Sequence, residues 1–436
     1  MTVRVAIVGS GPSGFYTADA LIRSGADYEI DIIDRLPTPF GLIRAGVAPD
    51  HQKTKNVSRA YEKTALNEKV AFFGNVDVGK DVGVEELKGL YDAVVLAIGS
   101  PFDRKLGVPG EDKTGVFGSA DFVGWYNGHP DFRDLDPDLN TKSIVVIGNG
   151  NVAIDCARVL VKTPEEMSTT DIATHAAEAI HASPIEDVYM VGRRGPIEAK
   201  FTNVELREMG ELQDCTPIID GAQIPDDVPA DMEMSDRDRR LKERNLATLK
   251  SFVDAEPAGR KRRVHFQFYA SPVEILGGDS VEGIRLEKTE VRDGRAVGTG
   301  ETYDIPCGIV IAAIGYQGQP LDGLPFDEYN GVIENDEGRV ADGVYAVGWI
   351  RRGPTGVIGT NKHDGDRAAE QIQEDCTDGG KSGRAGLTAV LAEKGIKWVD
   401  YPGWQKIDEA EKAAAAEGAP RRKLTRIPEM LSVLDT

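Results

Sequence analysis

Two glycine-rich turns, each between an apolar β-branched run and a helical pattern, constrain the fold of this chain most strongly. The first turn lies in VRVAIVGSGPSGFYTADALIRSG and contains Gly9, Gly11 and Gly14. This is the G-x-G-x-x-G pattern of a Rossmann unit, in which glycines permit a tight turn, close approach of a pyrophosphate and close helix packing. A second apolar run, EIDIID, ends at Asp34, where a carboxylate can accept hydrogen bonds from ribose hydroxyls. We therefore expect a dinucleotide site near the start of the chain.

The second turn lies in SIVVIGNGNVAIDCARVL, with Gly148 and Gly150 in place and Ala153 as the third small residue. The next apolar run, VYMVGRR, ends in Arg193 and Arg194 instead of an acid. Two guanidinium groups suit the 2′-phosphate of NADP, and hydrogen bonds to charged groups contribute about 1.5 to 3 kcal/mol each. The competing interpretation is a pair of solvated surface arginines. The pattern favours a second nucleotide site that takes NADP.

The two units predict an α/β protein with two Rossmann-like dinucleotide-binding domains. The first site is expected to hold FAD or NAD, and Asp34 does not distinguish them because both present ribose hydroxyls. Two similar apolar runs that end in glycine, residues 91–100 and 308–317, are candidate points at which the chain crosses between domains.

Charge and hydropathy exclude several classes of function. The net charge of −21 disfavours non-specific binding to nucleic acid or to an anionic membrane. Apolar runs are too short for a membrane span, and the first strand begins within a few residues of Met1, which leaves no room for a signal or transit peptide. We therefore expect a cytoplasmic protein that binds neither nucleic acid nor membranes.

The four cysteines, Cys156, Cys215, Cys307 and Cys376, are far apart and include no Cys-x-x-Cys pair. This spacing indicates neither a redox dithiol nor a metal or iron-sulfur site, so no metal is expected.

The segment LPTPFGLIRAGVAPDHQKT, residues 36–54, matches neither a helix nor a strand pattern. Its three prolines restrict φ, and Gly41 and Gly46 permit unusual backbone conformations, so we expect an irregular but rigid segment. Its apolar side chains argue against disorder because they need a surface to cover.

Five longer motifs identify a family. They are GSGPSG at 9–14, PTPFGLIRAGVAPDH at 37–51, GNGNVAID at 148–155, VGRRGP at 191–196 and VGWIRRGPTGVIGTNK at 347–362. Together they closely resemble ferredoxin-NADP reductases of the adrenodoxin reductase type, including its mycobacterial branch. The resemblance extends through almost the whole chain, and one departure is Asp34, where the family usually has Glu.

The resemblance implies a glutathione-reductase-like fold without the thiol pair. It implies a discontinuous FAD-binding domain formed by residues 1–105 and 322–436, with an NADP-binding domain, residues 106–321, inserted between them. FAD is thus the cofactor that the resemblance implies for the first site.

The resemblance also implies how FAD is held. Leu42 would lie near the flavin ring, and Gly356 would leave space for the nicotinamide. Trp349 would pack nearby, with an ordinary core position as its alternative. A helix start near Val357 and Ile358 would stabilise the negative charge of reduced flavin. The full set of FAD-binding candidates is Gly9, Gly11, Pro12, Ser13, Gly14, Asp34, Gly41, Leu42, Val47, Val78, Trp349, Gly356, Val357 and Ile358.

For NADP, the candidates from the motif and the resemblance are Arg104, Asn149, Gly150, Asn151, Val152, Arg193, Arg194 and Glu205. Glu205 also fits a capping box with Thr202, and both roles can hold together. Arg104 has a solvated arginine as its alternative. The resemblance further implies a catalytic histidine-carboxylate pair, His51 and Asp155, against the alternatives of a loop histidine and a plain helix-turn acid.

The implied reaction is hydride transfer from NADPH to flavin N5, followed by single-electron transfer to a ferredoxin-type iron-sulfur protein, the expected partner. Basic runs at 237–250 and 259–263, including Arg239, Arg240 and Arg244, are candidates for its docking, or else solvated surfaces. Two alternatives remain: an NADPH-dependent quinone or dye reductase, and a non-catalytic NADP-sensing flavoprotein.

Overall fold

The computed structural model describes residues 2–230, 232–253, 255 and 259–435. Its contacts divide the chain into two compact units. The first unit contains Met1–Phe102, Asn127–Arg133 and Tyr316–Thr436, and the second contains Asp103–Tyr126 and Asp134–Gly315. The first unit is therefore built from separate parts of the chain, and the assignment of one nucleotide to each unit stays a prediction.

In chain order the strands are β1 Val3–Val8, β2 Tyr28–Asp34, β3 Val70–Gly74, β4 Ala93–Leu96, β5 Phe102–Asp103, β6 Val116–Gly118, β7 Ser143–Ile147, β8 Asp187–Gly192, β9 Cys215–Ile219, β10 Arg262–Phe268, β11 Ala270–Leu276, β12 Gly283–Arg292, β13 Arg295–Pro306, β14 Ile309–Ala312, β15 Tyr316–Gln317, β16 Phe326–Asp327, β17 Val332–Ile333, β18 Arg339–Ala341 and β19 Val344–Ala346.

The helices are α1 Pro12–Arg23, α2 Leu42–Ala45, α3 Gln52–Lys55, α4 Ser58–Ala65, α5 Val84–Leu90, α6 Ser119–Asn127, α7 Asn151–Val161, α8 Pro164–Met167, α9 Thr174–Ala182, α10 Asn203–Glu208, α11 Asp236–Val253, α12 Trp349–Arg352, α13 Asn361–Asp375, α14 Gly383–Glu393, α15 Tyr401–Ala413 and α16 Ile427–Ser432.

The main sheet of the first unit has the order β18-β19-β4-β1-β2-β3. Its pairs are parallel except β18 with β19, and Ile7 in β1 lies opposite Ile32 in β2 and Val95 in β4. These side chains are completely buried, as expected for apolar strands in a parallel sheet covered on both faces. The strand order reverses at β1, and ligands of such sheets bind beyond the carboxyl ends of the strands at this switch point.

Helices α1 and α13 pack closely on one face of this sheet. Gly365 of α13 makes the approach possible, because a Cβ atom there would lie 2.7 Å from the carbonyl carbon of Tyr16 in α1. Phe15, Ala18 and Leu21 of α1 are buried in the same core. Helix α1, which follows the first glycine turn, is therefore held in place by its packing against α13 and the core.

The second unit repeats the arrangement with the order β6-β14-β7-β8-β10-β9, in parallel pairs. Here the strand order reverses at β7, which precedes the second glycine turn. An antiparallel sheet, β11-β12-β13, belongs to the same unit. The predicted α/β class with two Rossmann-like sheets is confirmed. Over the described residues, the helices are all too short or too polar to cross a bilayer.

Candidate functional site

The first glycine turn is tightly packed at two glycines and open at a third. A Cβ atom at Gly9 would lie 2.4 Å from Ala97 O, and one at Gly14 would lie 2.1 Å from Gly9 O. Gly9 also has a φ of +109°, a value that side chains disfavour. A Cβ atom at Gly11, which precedes α1, would meet no described atom within 4 Å. Gly9 and Gly14 therefore serve packing, whereas Gly11 faces open space at a helix start, where an anion is stabilised.

Asp34, the last residue of β2, is bonded to this turn. Its Oδ2 accepts hydrogen bonds from the backbone N of Ser10 at 2.9 Å and from the Ser10 hydroxyl at 2.5 Å. Its Oδ1 accepts from Leu36 N at 2.9 Å. Pro12 and Ser13 form the first turn of α1, and Ser13 is buried. The structure thus brings the predicted acid to the glycine turn.

The segment of residues 36–51 lies against the same turn. Phe40 N donates to Ser10 O at 3.0 Å, and a Cβ atom at Gly41 would lie 3.0 Å from Gly11 Cα. The segment is irregular apart from the single helical turn α2, which is stabilised by bonds from Gly46 N and Val47 N to Leu42 O at 2.8 and 2.7 Å. Leu42 is 44% exposed. The short segment thus holds an apolar side chain out of the core beside the glycine turn.

A third part of the first unit, residues 347–361, is fixed by one buried acid. Asp364 of α13 accepts from Gly348 N at 3.1 Å, from Arg351 Nη1 at 2.8 Å and from Arg352 Nε at 2.9 Å. Trp349 is half-buried, with its ring 5.8 Å from that of Tyr316. Sequence reasoning missed Asp364; the available signal was an acid in the first turn of a helix that follows an Arg-Arg pair.

The helix predicted to start near Val357 and Ile358 starts farther along the chain. Ile358–Thr360 form a single 3-10 turn, so the regular helix begins later, at Asn361. Gly356 has a φ of +85°, and Val357 is 67% exposed. Val78 lies elsewhere in the first unit, half-buried, in a bridge with Val82.

His51 immediately precedes the short helix α3. Its backbone N donates to Ala48 O at 3.0 Å, and its carbonyl accepts from Thr54 N at 3.0 Å. The residue is half-buried. The backbone therefore holds the histidine in a defined turn of the first unit.

The second glycine turn repeats the pattern of the first. Gly148 has a φ of +152°, and a Cβ atom there would lie 2.3 Å from Ala313 O. Gly150 precedes α7, and a Cβ atom there would meet no described atom within 4 Å. Ala153 is fully buried. Open space is again found at the middle glycine.

Asn149 and Asn151 organise the loops around this turn. The side chain of Asn149 packs on Gly192, where a Cβ atom would lie 1.6 Å from Asn149 Nδ2, and its backbone carbonyl accepts from Lys200 N at 2.8 Å. Asn151 Oδ1 accepts from Thr202 N at 2.8 Å. The two asparagines thus connect the glycine turn to the residues that follow β8, and Val152, also predicted, is half-buried beside them.

Arg193 and Arg194 follow β8 directly, with Arg193 exposed and Arg194 half-buried. Their backbone is fixed, because Arg193 O accepts from Thr289 Oγ1 at 2.7 Å and Arg194 O accepts from Tyr269 N at 3.2 Å. Both arginines therefore lie at the carboxyl end of the strand next to β7, as the sequence predicted.

A buried cation joins three acids in the second unit. Arg158 of α7 is completely buried, and its Nη2 donates to Asp155 Oδ1 at 2.7 Å. Its Nη1 lies 3.6 Å from Glu205 Oε2 and 3.5 Å from Glu208 Oε2. One half of the predicted capping box is present, since Glu205 N donates to Thr202 Oγ1 at 3.4 Å, whereas Thr202 N donates to Asn151 Oδ1. Asp155 and Glu205, predicted separately, are thus brought together by Arg158.

Sequence reasoning missed Arg158. The signal was a basic residue within the apolar pattern of α7, in NVAIDCARVLV. Arg104, by contrast, was predicted, and it lies where its backbone N donates to Gly315 O at 3.0 Å. In the basic helix α11, the guanidinium of Arg239 donates hydrogen bonds to nearby backbone carbonyls, namely those of Val228, Pro229, Ala230 and Met232.

The residues of the first unit fit a large, partly apolar dinucleotide. Gly11 is open for a pyrophosphate, and Leu42 and Val357 are exposed apolar side chains that a ring system would cover. Within the described residues, the buried Ser100 Oγ, just beyond β4, has no hydrogen-bond partner. The second unit fits a phosphorylated nucleotide, with Gly150 open and Arg193 exposed.

Comparisons with known proteins found relatives over nearly the whole chain. Residues 3–195 match the family model described as pyridine nucleotide-disulphide oxidoreductase. The chain is 42% identical to NADPH-ferredoxin reductase FprA of Mycobacterium tuberculosis, over 98% of each chain. It is 41% identical to the mitochondrial NADPH:adrenodoxin oxidoreductase of Arabidopsis thaliana, over 99% of this chain and 95% of the relative. The solved structure of Mycobacterium tuberculosis FprA in complex with NADPH superposes with a TM-score of 0.93 over 99% of each chain, at 41% identity.

The resemblance predicted from the five motifs is confirmed, and so is the glutathione-reductase-like fold class. With this identity over nearly the full length of each relative, the chain belongs to the family of NADPH-dependent ferredoxin and adrenodoxin reductases.

Proposed function

We propose that this protein is an FAD-dependent ferredoxin-NADP+ reductase that passes electrons from NADPH singly to a ferredoxin-type iron-sulfur protein. One observation carries the proposal. Each unit has a Rossmann sheet followed by a glycine turn, and in each turn the middle glycine, Gly11 or Gly150, faces open space that can admit a pyrophosphate. The family membership supports the same activity, because the relatives are named for NADPH and for ferredoxin or adrenodoxin.

For FAD we propose the first unit. The backbone around Gly11 would approach the pyrophosphate, and Asp34 would accept hydrogen bonds from the adenosine ribose. Leu42 and Trp349 would cover the ring system, and Val357 would lie at its edge. The remaining proposed contacts are Gly9, Pro12, Ser13, Gly14, Gly41, Val47, Val78, Gly356 and Ile358. When bound, FAD accepts two electrons together and releases them one at a time.

For NADP we propose the second unit. Arg193 and Arg194 would bind the 2′-phosphate, and the open space at Gly150 would admit the pyrophosphate. Asn149, Asn151 and Val152 would shape the turn. Glu205 and Arg104 are the other proposed contacts. Such phosphate contacts would favour NADPH over NADH, since each charged hydrogen bond contributes about 1.5 to 3 kcal/mol.

His51 and Asp155 remain the proposed catalytic pair. The bond from Arg158 holds Asp155 in one orientation, so we assign Asp155 a fixed negative charge that orients the nicotinamide end of the substrate. We assign His51 the proton relay, because imidazole is a common acid-base group in enzymes.

An acidic iron-sulfur protein needs a basic docking surface on this acidic chain. Arg237, Arg240 and Arg244 are exposed on α11, at spacings of three and four residues that place them on one face. We propose this face for docking. Arg239 is left out of it because its guanidinium is bonded to the loop 228–232.

We also propose a cytoplasmic location. The four cysteines are free thiols, as is usual in a reducing compartment.

The activity is tested on the purified full chain by its visible spectrum and by anaerobic titration with NADPH. We expect a yellow protein that one equivalent of NADPH bleaches and that then reduces cytochrome c only when ferredoxin is added. A colourless protein that does not take up FAD would contradict the proposal. Rapid quinone reduction without ferredoxin-dependent cytochrome reduction would instead indicate a quinone or dye reductase.

A further inference from the structure

Arg44, within the segment that carries Leu42, is held by a buried acid of α15. Its Nη1 donates to Glu411 Oε2 at 2.9 Å, and its Nη2 donates to Glu411 Oε1 at 2.5 Å. Glu411 is completely buried, and the side chain of Arg44 is 10% exposed. The guanidinium also lies over the ring of Trp404, 5.3 Å from its centroid. A bidentate pair of this kind fixes both the position and the orientation of the arginine.

The chain beyond α15 completes the contacts of the same acid. Leu424 N donates to Glu411 Oε1 at 2.8 Å, and Arg421 Nη1 lies 3.3 Å from Glu411 Oε2. Lys423, itself buried, donates through Nζ to Arg44 O at 3.0 Å and to Asn127 O at 3.1 Å. Side-chain and backbone atoms of Arg44 are thus both bonded to the C-terminal part of the chain.

A second contact fixes the other side of Leu42. Phe40 has a φ of +84°, and its ring packs edge-on against Trp404 with the centroids 5.9 Å apart. Residues two before and two after Leu42 are therefore both held by α15. This anchoring explains how Leu42 can stay exposed while Phe40 and Ile43 are buried.

The cluster contains a fully buried carboxylate whose charge is met by several partners. Removing a carboxylate and a guanidinium from water is unfavourable, and a buried pair is retained only where its geometry satisfies both charges. Here the carboxylate faces Arg44, Arg421 and a backbone N–H, so its charge is satisfied from several sides. The elements it joins are the segment proposed to line the flavin and the C-terminal part of the chain.

We propose that Glu411 is a positioning residue for the flavin: through Arg44 it holds α2 so that Leu42 is presented to the ring system. This inference rests on the proposed binding of FAD to the first unit. The C-terminal part of the chain, from α15 to Leu424, then contributes to the flavin site without touching it.

The test replaces Glu411 by Gln, which keeps the volume and an acceptor for Leu424 N but removes the charge that binds Arg44. The matched control is Asp408→Asn on the same helix, which removes another carboxylate bonded to Arg421 but not one bonded to Arg44. Arg44→Lys is the second variant, since it keeps a positive charge and loses the two-pronged geometry. Each full-length holoenzyme is assayed for its rate of FAD release, for the visible circular dichroism of bound flavin and for thermal unfolding.

We expect Glu411→Gln to release FAD at least about tenfold faster than Asp408→Asn, which corresponds to about 1.4 kcal/mol. Its flavin dichroism changes, and Arg44→Lys changes both readouts in the same direction. FAD release within twofold of the control in both variants, with unchanged dichroism, would overturn the inference even if thermal stability fell. A wild-type protein that retains no FAD would instead refute the proposed function itself.

Discussion

Arg158 and Asp155 form an ion pair one turn apart on α7, with Nη2 and Oδ1 separated by 2.7 Å and the arginine completely buried. The same guanidinium lies near Glu205 and Glu208 of α10, so one cation serves three acids from two helices. Removal of the cation would leave acids with a strong mutual repulsion. Arg158 therefore contributes both to the packing of the second unit and to the position of the acids proposed to act on NADPH.

We expect Arg158→Met to lower the free energy of unfolding by about 3 to 5 kcal/mol, because it removes the buried cation that faces three carboxylates. Urea unfolding followed by circular dichroism measures the change. In the double variant with Asp155→Asn the loss should be smaller than the sum of the two single changes. Additive losses would show that the pair does not couple the two residues.

Replacement of the open glycines by alanine should separate binding from folding. Gly11→Ala adds a methyl group into open space, so we expect the fold to be kept and FAD affinity to fall by tenfold or more, because the methyl group blocks the pyrophosphate. Gly150→Ala should instead raise the Michaelis constant for NADPH and leave FAD content unchanged.

Two controls accompany these variants. Gly83→Ala, at the start of α5, also adds a methyl group into open space and should leave FAD affinity as in the wild type. Gly14→Ala should disturb folding, since its Cβ atom would lie 2.1 Å from Gly9 O. Unaltered FAD affinity in Gly11→Ala would place the pyrophosphate elsewhere.

Replacement of Arg193 and Arg194 by Gln should raise the Michaelis constant for NADPH by about a hundredfold, if each charged hydrogen bond contributes about 1.5 kcal/mol or more. The constant for NADH should change little, because NADH has no 2′-phosphate. Steady-state kinetics with both nucleotides measure this, with the exposed Arg292→Gln as control. Equal effects on the two nucleotides would refute the phosphate assignment.

The arginines of α11 should fall into two classes. Arg240→Gln with Arg244→Gln should weaken ferredoxin reduction most at low salt and leave dye reduction intact, because long-range attraction is screened by ions. Arg239→Gln should mainly lower thermal stability, because it removes the donor to carbonyls of the loop 228–232. Ferredoxin kinetics that respond to Arg239 and not to the exposed pair would reverse this assignment.

Stability should depend on pH through Asp31, which is buried in β2 and bonded to Arg384 at 2.7 Å and to the Tyr91 hydroxyl at 2.8 Å. Burial raises the pKa of Asp31 from 3.8 to about 6, against the opposing charge of Arg384. The folded state then binds a proton more tightly than the unfolded state, so the contribution of Asp31 to stability is largest below pH 3.8 and falls as the pH rises to about 6.

We therefore expect the stability of the wild type relative to Asp31→Asn to decline between pH 4 and pH 6, by at most about 1.4 kcal/mol per pH unit. Urea unfolding of both proteins across this range measures the difference. A difference that rises with pH would show that Arg384 lowers the pKa more than burial raises it.

Much of the fold could be predicted because each proposed nucleotide site contains a short, continuous sequence pattern. A strand, a glycine turn and a helix occur within about twenty residues of Gly9 and again of Gly148, and their spacing follows from backbone geometry alone. Asp34 and Arg193 could be placed for the same reason, since each follows the next strand of its unit. The fold class and the family were thus accessible from the sequence alone.

The tertiary structure decided which side chains hold these sites in place. Glu411 and Arg44 are 367 residues apart, and Asp364 binds Gly348 from a different element. Local patterns report backbone conformation and the buried face of one element, whereas an ion pair between distant segments depends on how those elements pack. Arg158 shows the same limit of sequence analysis. Its position in the apolar pattern of α7 marks it as unusual, but only the packing of α7 against α10 shows that it lies near Glu205 and Glu208.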